Sequence, residues 1–443
     1  MKTERTLGFK ELLSMSIGTV IGAGIITLVG VAFAVTGRSV WVAYVFAVVV
    51  GFFYALPYLL ASSIVRLPGG AYAMVSSTLG RRASGVFAMG FLTNMLQNSL
   101  FGLAFGMYIN SLFPQIPVKV SGCIIIVALY LISISSTNVI AKVQNVTSVI
   151  LVISLAVLFI PGMFNLQWSP FGFSEPGFFT NGMAGIMDAM VILVFSTQGY
   201  YLIINMSGLA KNPRKDMPKA MLLTALIIAV LYALAGMVTG GVLPYEEMAG
   251  QPLTYVAQAI LAKPLVFVFV FGGACMALVT TLNGLFTSYG QVYLKAGLDG
   301  WYPKWMSKTN KHNKPVVALT LMAIVAVLPI LLDFDVRQIT NNILLIAPVV
   351  GIFPILATWN LPKKFPEFWS KSIVHLPDAL FKVTMVICIA VQVIVAFWSV
   401  RGMTRTAVIV SLVVMAAVIV LGIFRASSSN VKIDDMSEVF AEE

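Results

Sequence analysis

Long apolar segments separated by short polar stretches occupy most of this 443-residue chain. A helix needs about 20 apolar residues to cross the hydrocarbon core of a bilayer. Segments of this kind occur at about residues 9–36, 40–65, 84–113, 119–138, 143–163, 182–209, 219–243, 264–294, 315–332, 337–359, 378–400 and 405–424. The pattern predicts an all-α integral membrane protein with about 12 transmembrane helices.

The residue composition is that of a membrane protein. Hydrophobic residues make up 59% of the chain and charged residues 10%, whereas a soluble domain carries about 25% charged residues. Cys123, Cys275 and Cys388 are scattered through apolar segments, which is neither a disulfide framework nor a metal cluster. We interpret them as small buried side chains and predict no cofactor. The first segment is too long for a signal peptide, so we expect it to be retained.

The basic residues are distributed unevenly between the two sides of the membrane. The formal net charge is +11. When the loops are assigned alternately from an inside N-terminus, 22 of the 28 Lys and Arg residues fall inside and 6 outside. This asymmetry follows the positive-inside rule and predicts a multi-pass protein of the cytoplasmic membrane with both termini in the cytoplasm. The positive charge is therefore a topology signal beside the lipid bilayer, and no nucleic-acid partner is predicted.

The first apolar segment contains Gly18, Gly22 and Gly24 within seven residues. Each glycine in a helix interior costs about 0.5–1 kcal/mol relative to alanine. A helix meant only to cross the membrane has no need of them. We interpret the stretch as a broken transmembrane helix whose freed amides and carbonyls bind a solute. The alternative is that the glycines only allow neighbouring helices to pack closely.

The sixth apolar segment has a second interruption, Phe195-Ser196-Thr197-Gln198-Gly199-Tyr200-Tyr201. Breaks in the first and sixth segments are typical of two five-helix repeats in opposite orientations. The helices within 378–424 lie outside these repeats and are interpreted as accessory helices 11 and 12 or as the contact of a homodimer. The predicted organisation is a cytoplasmic tail (1–8), a first repeat (9–163), a second repeat (182–359), the accessory helices (378–424) and a second cytoplasmic tail (425–443).

Four stretches resemble motifs of the amino acid/polyamine/organocation (APC) transporter superfamily. They are Gly22-Ala23-Gly24-Ile25, Pro68-Gly69-Gly70-Ala71-Tyr72 with Leu79-Gly80, the run from Lys211 to Ala220, and Gly297-Leu298-Asp299-Gly300-Trp301-Tyr302-Pro303. They occur in the order found in that superfamily and cover about residues 8–360. The resemblance, which is to bacterial amino acid permeases and antiporters, implies the five-plus-five inverted-repeat fold. It also implies a small amine-bearing solute, usually an amino acid.

The two breaks suggest how an amino acid would bind. The half-helix that begins after the first break offers free N–H groups and a positive dipole end to a carboxylate. The half-helix that ends near Thr19 and Ile21 offers carbonyls to an ammonium group. The predicted substrate-binding residues are Thr19, Ile21, Gly22, Ala23, Gly24, Ile25, Asn98, Phe195, Ser196, Gly199, Tyr200 and Tyr201.

Selectivity for the substrate side chain is a separate question. By resemblance to arginine–agmatine antiporters, Phe195 takes the place of a gating tryptophan, Tyr201 that of a glutamate and Asn98 that of a substrate-contacting asparagine. Asp188 is the acidic residue well inside a span, and we interpret it as a helix-end charge or as part of a gate or proton path. Without an acid near the centre we favour a neutral amino acid, although aromatic rings can also bind a cation.

The sequence leaves the coupling ion open. Some proton-coupled relatives carry a lysine in the fifth span where this chain has Leu151. Thr280 and Thr281 in the eighth span either contribute to a sodium site or bond back to their own helix. We therefore expect an amino acid exchanger, with a proton- or sodium-coupled symporter of the same fold as the alternative. An intramembrane enzyme is not favoured, because His312 and His375 both lie in polar loops.

Overall fold

The computed structural model describes residues 5–22, 24–334, 346–401 and 403–433, which form helices joined by short connections. Helices satisfy their backbone groups internally, as a bilayer requires. The α-helices are α1 (Phe9–Val20), α2 (Gly24–Thr36), α3 (Val40–Ile64), α4 (Ala71–Thr78), α5 (Gly80–Phe91), α6 (Gln97–Leu112), α7 (Val118–Ser133), α8 (Thr137–Phe164), α9 (Gly182–Val194), α10 (Pro213–Val242), α11 (Tyr245–Met248), α12 (Leu253–Ile260), α13 (Lys263–Val268), α14 (Met276–Leu298) and α15 (Val316–Leu331), followed by the helices Ile346–Lys364, Pro366–Ser370, Asp378–Arg401 and Arg405–Ala426. Short 3₁₀ helices lie at Gly37–Ser39, Leu92–Leu96, Phe195–Thr197, Tyr200–Leu209 and Lys304–Ser307, and a π-helix joins α13 to α14 at Phe269–Cys275.

Several of these helical stretches are long and apolar enough to cross a membrane. Among the described residues seven qualify: Phe9–Ile64, Thr137–Phe164, Gly182–Leu209, Pro213–Val242, Lys263–Leu298, Asp378–Trp398 and Arg405–Ala426. The stretch Phe9–Ile64 contains two of the predicted segments, and the apolar helices α7 and α15 are shorter. The predicted segment 337–359 begins among residues 335–345, which lie outside the described part of the chain. The protein is therefore an all-helical membrane protein.

The first predicted span is interrupted between α1 and α2. The backbone leaves helical geometry at Ile21, where ψ is 89°. The Ile21 N–H still donates to the Ile17 carbonyl at 2.9 Å, whereas the Gly22 N–H turns back to the Val20 carbonyl at 3.0 Å. A new helix begins at Gly24, so the end of α1 and the start of α2 meet in the middle of one apolar segment.

The sixth predicted span is interrupted in a similar way. After α9 a single 3₁₀ turn leads to Gln198, which is extended, and to Gly199, whose φ is +118°. L-residues with a side chain rarely adopt that conformation, so glycine is required here. The chain then continues as the 3₁₀ helix Tyr200–Leu209. Gly199 is thus the point at which the backbone of this span changes direction.

The broken first span is enclosed by α8, α10 and α14. At Gly18 in α1, a Cβ atom would lie 2.0 Å from Gln144 Nε2 of α8 and 2.8 Å from Thr280 Cβ of α14. At Gly284 in α14, a Cβ atom would lie 2.3 Å from the Thr19 methyl carbon. These close approaches hold the end of α1 against two continuous helices and fix the position of the break.

Candidate functional site

A cavity of about 750 Å³ lies where the two interruptions meet. Its walls come from the broken spans, from α3, α6 and α14, and from the helices Ile346–Lys364 and Asp378–Arg401. Small-molecule sites in proteins have volumes of about 300–1,000 Å³, so the cavity is large enough for a solute with room to spare.

The structure brings many of the predicted binding residues to this cavity. Those that line it are Thr19, Gly22, Gly24, Phe195, Ser196, Gly199 and Tyr201, together with the predicted coupling residue Thr281. The predicted residues that do not line it are Ile21, Ile25, Asn98, Tyr200, Asp188 and Thr280. Ala23 lies outside the described residues.

The two interruptions are in direct contact. A Cβ atom on Gly24 would lie 2.5 Å from Ser196 Cβ and 3.0 Å from Ser196 Cα. A Cβ atom on Gly199 would lie 2.5 Å from the carbonyl oxygen of Thr19. Glycine at both positions lets the start of α2 approach the end of α9, and the second interruption approach the end of α1. As a result, the ends of the two broken spans lie side by side on the wall of the cavity.

Hydroxyl groups from continuous helices occupy the carbonyl ends of these broken spans. Thr281 Oγ1 lies 2.9 Å from the Gly18 carbonyl oxygen and 3.5 Å from that of Ile21. The Tyr232 hydroxyl lies 2.7 Å from the Ser196 carbonyl oxygen and 3.1 Å from that of Val20. Buried carbonyls need such donors, so part of the acceptor capacity predicted for a substrate is already used.

Tyr232 is a residue that the sequence did not indicate as part of the site. It is fully buried in α10 and joins the ends of both broken spans through its single hydroxyl. The signal available in the sequence was one tyrosine within the apolar segment 219–243. A phenolic hydroxyl at that depth must find a partner, but the sequence gives no indication of which one.

Replacing Tyr232 with phenylalanine is expected to weaken substrate binding about tenfold, because a buried carbonyl left without its donor costs about 1–3 kcal/mol. The ring and its packing remain, so insertion should be unaffected. The concentration dependence of solute exchange in proteoliposomes measures the effect. Tyr130→Phe is the control, because its hydroxyl bonds Thr320 at 2.8 Å between α7 and α15. Equal affinities for both variants and the wild type would contradict the role of Tyr232.

The amide side chains near the start of α6 reach different environments. Asn94 and Gln97 line the cavity, and Gln97 accepts a 2.8 Å hydrogen bond from the Tyr289 hydroxyl. Asn98 is fully buried and donates to the Met95 carbonyl at 3.4 Å. The segment before α6 is a 3₁₀ helix, in which residues three apart share a face. This geometry pairs Asn94 with Gln97 on the cavity wall.

The remaining wall is mainly aromatic and apolar. Tyr201 stacks on Tyr58, with ring centroids 4.6 Å apart and planes inclined by 19°. Phe195 is 40% exposed beside the cavity. None of the described lining residues carries a charged side chain. Asp188 is exposed on α9 and is not part of the lining. Substrate charges in this cavity would therefore face backbone and neutral polar groups.

The two threonines of α14 differ in their contacts. Thr280 is buried and donates to the Ala277 carbonyl at 2.8 Å within its own helix. Thr281 lies 2.9 Å from the same carbonyl but also reaches α1, and it lines the cavity. One hydroxyl thus lies within 3.5 Å of carbonyl oxygens from Gly18, Ile21 and Ala277.

An all-helical membrane protein with a solute-sized cavity between two interrupted spans has the construction of a membrane transporter. Comparison with known proteins identifies which kind: the sequence model of the family described as "Amino acid permease" matches residues 7–424. The chain belongs to this family, and it is a transporter of the cell membrane rather than an enzyme.

Individual relatives share about a quarter of their residues with this chain. The branched-chain amino acid permease BcaP of Bacillus subtilis (strain 168) is 25% identical over 347 residues, which are 71% of this chain and 72% of that protein. The vacuolar cationic amino acid transporter 4 of Arabidopsis thaliana is 24% identical over 366 residues, 76% of this chain and 60% of that protein. The methylthioribose transporter of Bacillus subtilis (strain 168) is 26% identical over 339 residues, 70% of this chain and 71% of that protein.

Proposed function

We propose that this chain is a secondary active transporter that exchanges amino acids across the cytoplasmic membrane by alternating access, with a preference for neutral substrates. The observation that carries the proposal is the meeting of two interrupted spans at one cavity, with Gly24 against Ser196 and Gly199 against Thr19. In this proposal the chain has about 12 spans around the cavity, and 10 of them form two inverted repeats. Both termini lie in the cytoplasm.

The backbone at the first break recognises the part that all amino acids share. The first turn of α2 has N–H groups without acceptors inside the helix, and its dipole favours a carboxylate. The Thr19 carbonyl lies at the end of α1 beside Gly199, where an ammonium group can approach it. Because these two groups complement both charges of an α-amino acid, no charged side chain is needed.

The neutral preference rests on the cavity wall. The described lining residues include Asn94, Gln97, Phe195, Tyr58 and Tyr201 but no acid to pair with a cationic side chain. BcaP is named as a branched-chain amino acid permease, whereas other relatives are named for cationic amino acids or methylthioribose. The names of the relatives therefore support a small organic solute, and the neutral preference rests on the cavity wall alone.

Counterflow in proteoliposomes tests the proposal. Vesicles are loaded with each of the 20 common amino acids or a polyamine, and uptake of a labelled solute is followed with and without sodium and proton gradients. Exchange of a neutral amino acid in the absence of both gradients is the expected result. The exchanger proposal fails if no solute exchanges, or if uptake occurs only with an ion gradient.

A sodium-coupled symporter is a second candidate, favoured by one observation. The Thr281 hydroxyl lies within 3.5 Å of the Gly18, Ile21 and Ala277 carbonyl oxygens, and clusters of oxygen ligands of this kind suit hard cations. If sodium binds there, Thr281→Val should raise the sodium concentration required for uptake. Thr280→Val is the control, because its hydroxyl donates within α14. An unchanged sodium requirement in Thr281→Val would exclude this site.

A further inference from the structure

Arg66 is a buried charge at one end of the molecule, well separated from the two breaks along the chain. It follows α3 and is 8% exposed. Its guanidinium donates to the Ala210 carbonyl at 2.7 Å, to the Lys211 carbonyl at 3.2 Å and to the Ser207 carbonyl at 3.3 Å. One side chain thus binds three backbone carbonyls within residues 207–211, at the end of the broken sixth span.

The turn after Arg66 bonds the same part of the sixth span. The Leu67 N–H donates to Ser207 Oγ at 2.9 Å, and the Ala71 N–H donates to Asn205 Oδ1 at 2.9 Å. Asn205 in turn donates to Ser288 Oγ of α14 at 2.8 Å. We call the contacts of residues 66–71 with residues 205–211 the Arg66 clamp. It ties the 3₁₀ helix Tyr200–Leu209 to the connection between α3 and α4.

The chemistry of the Arg66 clamp is that of a helix C-terminal cap. The last carbonyls of a helix have no intrahelical donors and carry the negative end of the dipole, which a cation complements. Arginine suits this place because its planar group presents several donors in a fixed geometry. The N-terminal segment contacts the same end of the sixth span. The Leu7 N–H donates to the Leu209 carbonyl at 3.0 Å, and the Lys211 N–H donates to the Leu7 carbonyl at 2.8 Å.

The Arg66 clamp adjoins one end of the cavity. Asn205 and Ala71 line the cavity, whereas Arg66 and Ser207 do not. At the opposite end the lining includes Val31 and Met107, whose side chains are exposed. The charge distribution predicts that Arg66 is on the cytoplasmic side and Val31 on the outer side. In that orientation the exposed lining residues lie at the outer end of the cavity, and Arg66 lies between the cavity and the cytoplasm.

We propose that Arg66 is a positioning residue of the cytoplasmic gate. By capping the end of the broken sixth span it holds the 3₁₀ helix Tyr200–Leu209 against α4 and α14, and its release permits the cavity to open inward. This inference rests on the proposed alternating-access function. It adds a residue outside the cavity lining that sets the balance between outward-open and inward-open forms.

Side-specific labelling of the full-length protein tests the gate without reference to any substrate. Leu285 lines the cavity from α14, and Leu285→Cys is introduced after Cys123, Cys275 and Cys388 are replaced. A membrane-impermeant thiosulfonate reagent is applied to right-side-out and inside-out vesicles. With Arg66→Ala, labelling from the cytoplasmic face should rise about tenfold and labelling from the outer face should fall, as a shift in population requires.

Graded variants separate gating from misfolding. Arg66→Lys keeps the charge but not the planar set of donors. We therefore expect labelling from the cytoplasmic face to increase about threefold. Ser207→Ala removes only the acceptor of the Leu67 N–H. Labelling should therefore shift in the same direction as in Arg66→Ala, but by a smaller amount. Arg82→Ala is the matched control, since Arg82 is an exposed arginine of α5. A misfolded protein would instead change labelling from both faces in the same direction.

Two outcomes would overturn the gate proposal. One is wild-type labelling from both faces in Arg66→Lys and Ser207→Ala, whatever the fate of Arg66→Ala. The other is an equal change in Arg82→Ala. Where exchange is measurable, the ratio of external to internal KM should rise about tenfold in Arg66→Ala, because fewer molecules face outward. If labelling shifts as expected but no amino acid is transported, the gate proposal stands and the proposed function fails.

Discussion

Replacement of Gly24 by leucine is expected to abolish substrate binding while the protein still inserts into the membrane. Even the first carbon of the new side chain would lie 2.5 Å from Ser196 Cβ and 3.0 Å from Ser196 Cα. The second of these atoms belongs to the backbone, so a rotamer change cannot remove the conflict. The start of α2 must move away from the end of α9. Overpacking of this kind costs about 1–3 kcal/mol, and we expect a loss of about 100-fold or more in counterflow.

Alanine variants make this prediction sharper. Gly24→Ala adds one methyl group and should lower exchange about tenfold. Gly273→Ala adds the same group in the π-helix, where the nearest atoms are 3.5 Å away at ordinary contact distance. It should therefore behave like the wild type. Retained exchange in Gly24→Leu, with normal amounts of protein in the membrane, would refute the assignment of this backbone to the site.

Gly199→Ala is expected to have the second large effect, a loss of transport of about 100-fold. Two causes act together at this position. A φ of +118° is strained for any residue with a side chain, at about 1–3 kcal/mol. The added Cβ atom would also lie 2.5 Å from the Thr19 carbonyl oxygen, the acceptor proposed for the substrate ammonium group. Relief of the strain would displace the sixth span from the end of α1.

Gly177→Ala separates these two causes. Gly177 also has a positive φ, +78°, but a Cβ atom there would have no heavy atom within 4 Å. This variant should lose a little stability and retain exchange, measured as thermal unfolding in detergent and counterflow in vesicles. If Gly177→Ala and Gly199→Ala lose transport equally, backbone strain alone explains the effect and the contact with Thr19 has no special role.

In the proposed mode of binding, the group that all amino acids share and the substrate side chain contact different parts of the cavity. The breaks at Gly24 and Gly199 bring backbone ends to one wall. Tyr58, Tyr201 and Gln97 form another part of the wall with aromatic and amide groups. Substitutions at the breaks should therefore affect every transported amino acid alike, whereas substitutions on the second surface should change the order of preference among them.

The interruptions themselves were predictable from the sequence. Glycine is a poor helix former, so a cluster of glycines within an apolar segment indicated a break near Gly22 and Gly24. The polar run around Gly199 indicated another break in the same way. The helices end at Val20 and Val194 and resume at Gly24 and Tyr200. The all-helical fold likewise followed from segment length and apolar character.

Other details depended on contacts between distant segments. Gly18 looked like part of the break, yet it lies within α1, where its missing side chain admits Gln144 and Thr280. Asn94 and Asn98 are four residues apart, a spacing that places two side chains on one face of an α-helix. The 3₁₀ turn before Gln97 instead brings Asn94 to the cavity and leaves Asn98 buried outside the lining. A local change of helix type alters which residues point the same way, and sequence spacing does not reveal it.

The sequence by itself determined the helical membrane fold and the two places where helices must break. Those features depend on local properties, namely the apolar length of a segment and the conformational preference of glycine. The tertiary structure alone decided which carbonyls these side chains reach: Tyr232 bonds the Ser196 carbonyl, Thr281 the Gly18 carbonyl and Arg66 the Ala210 carbonyl. Each of these bonds joins residues more than a hundred positions apart or on separate helices, so its partner is set by packing.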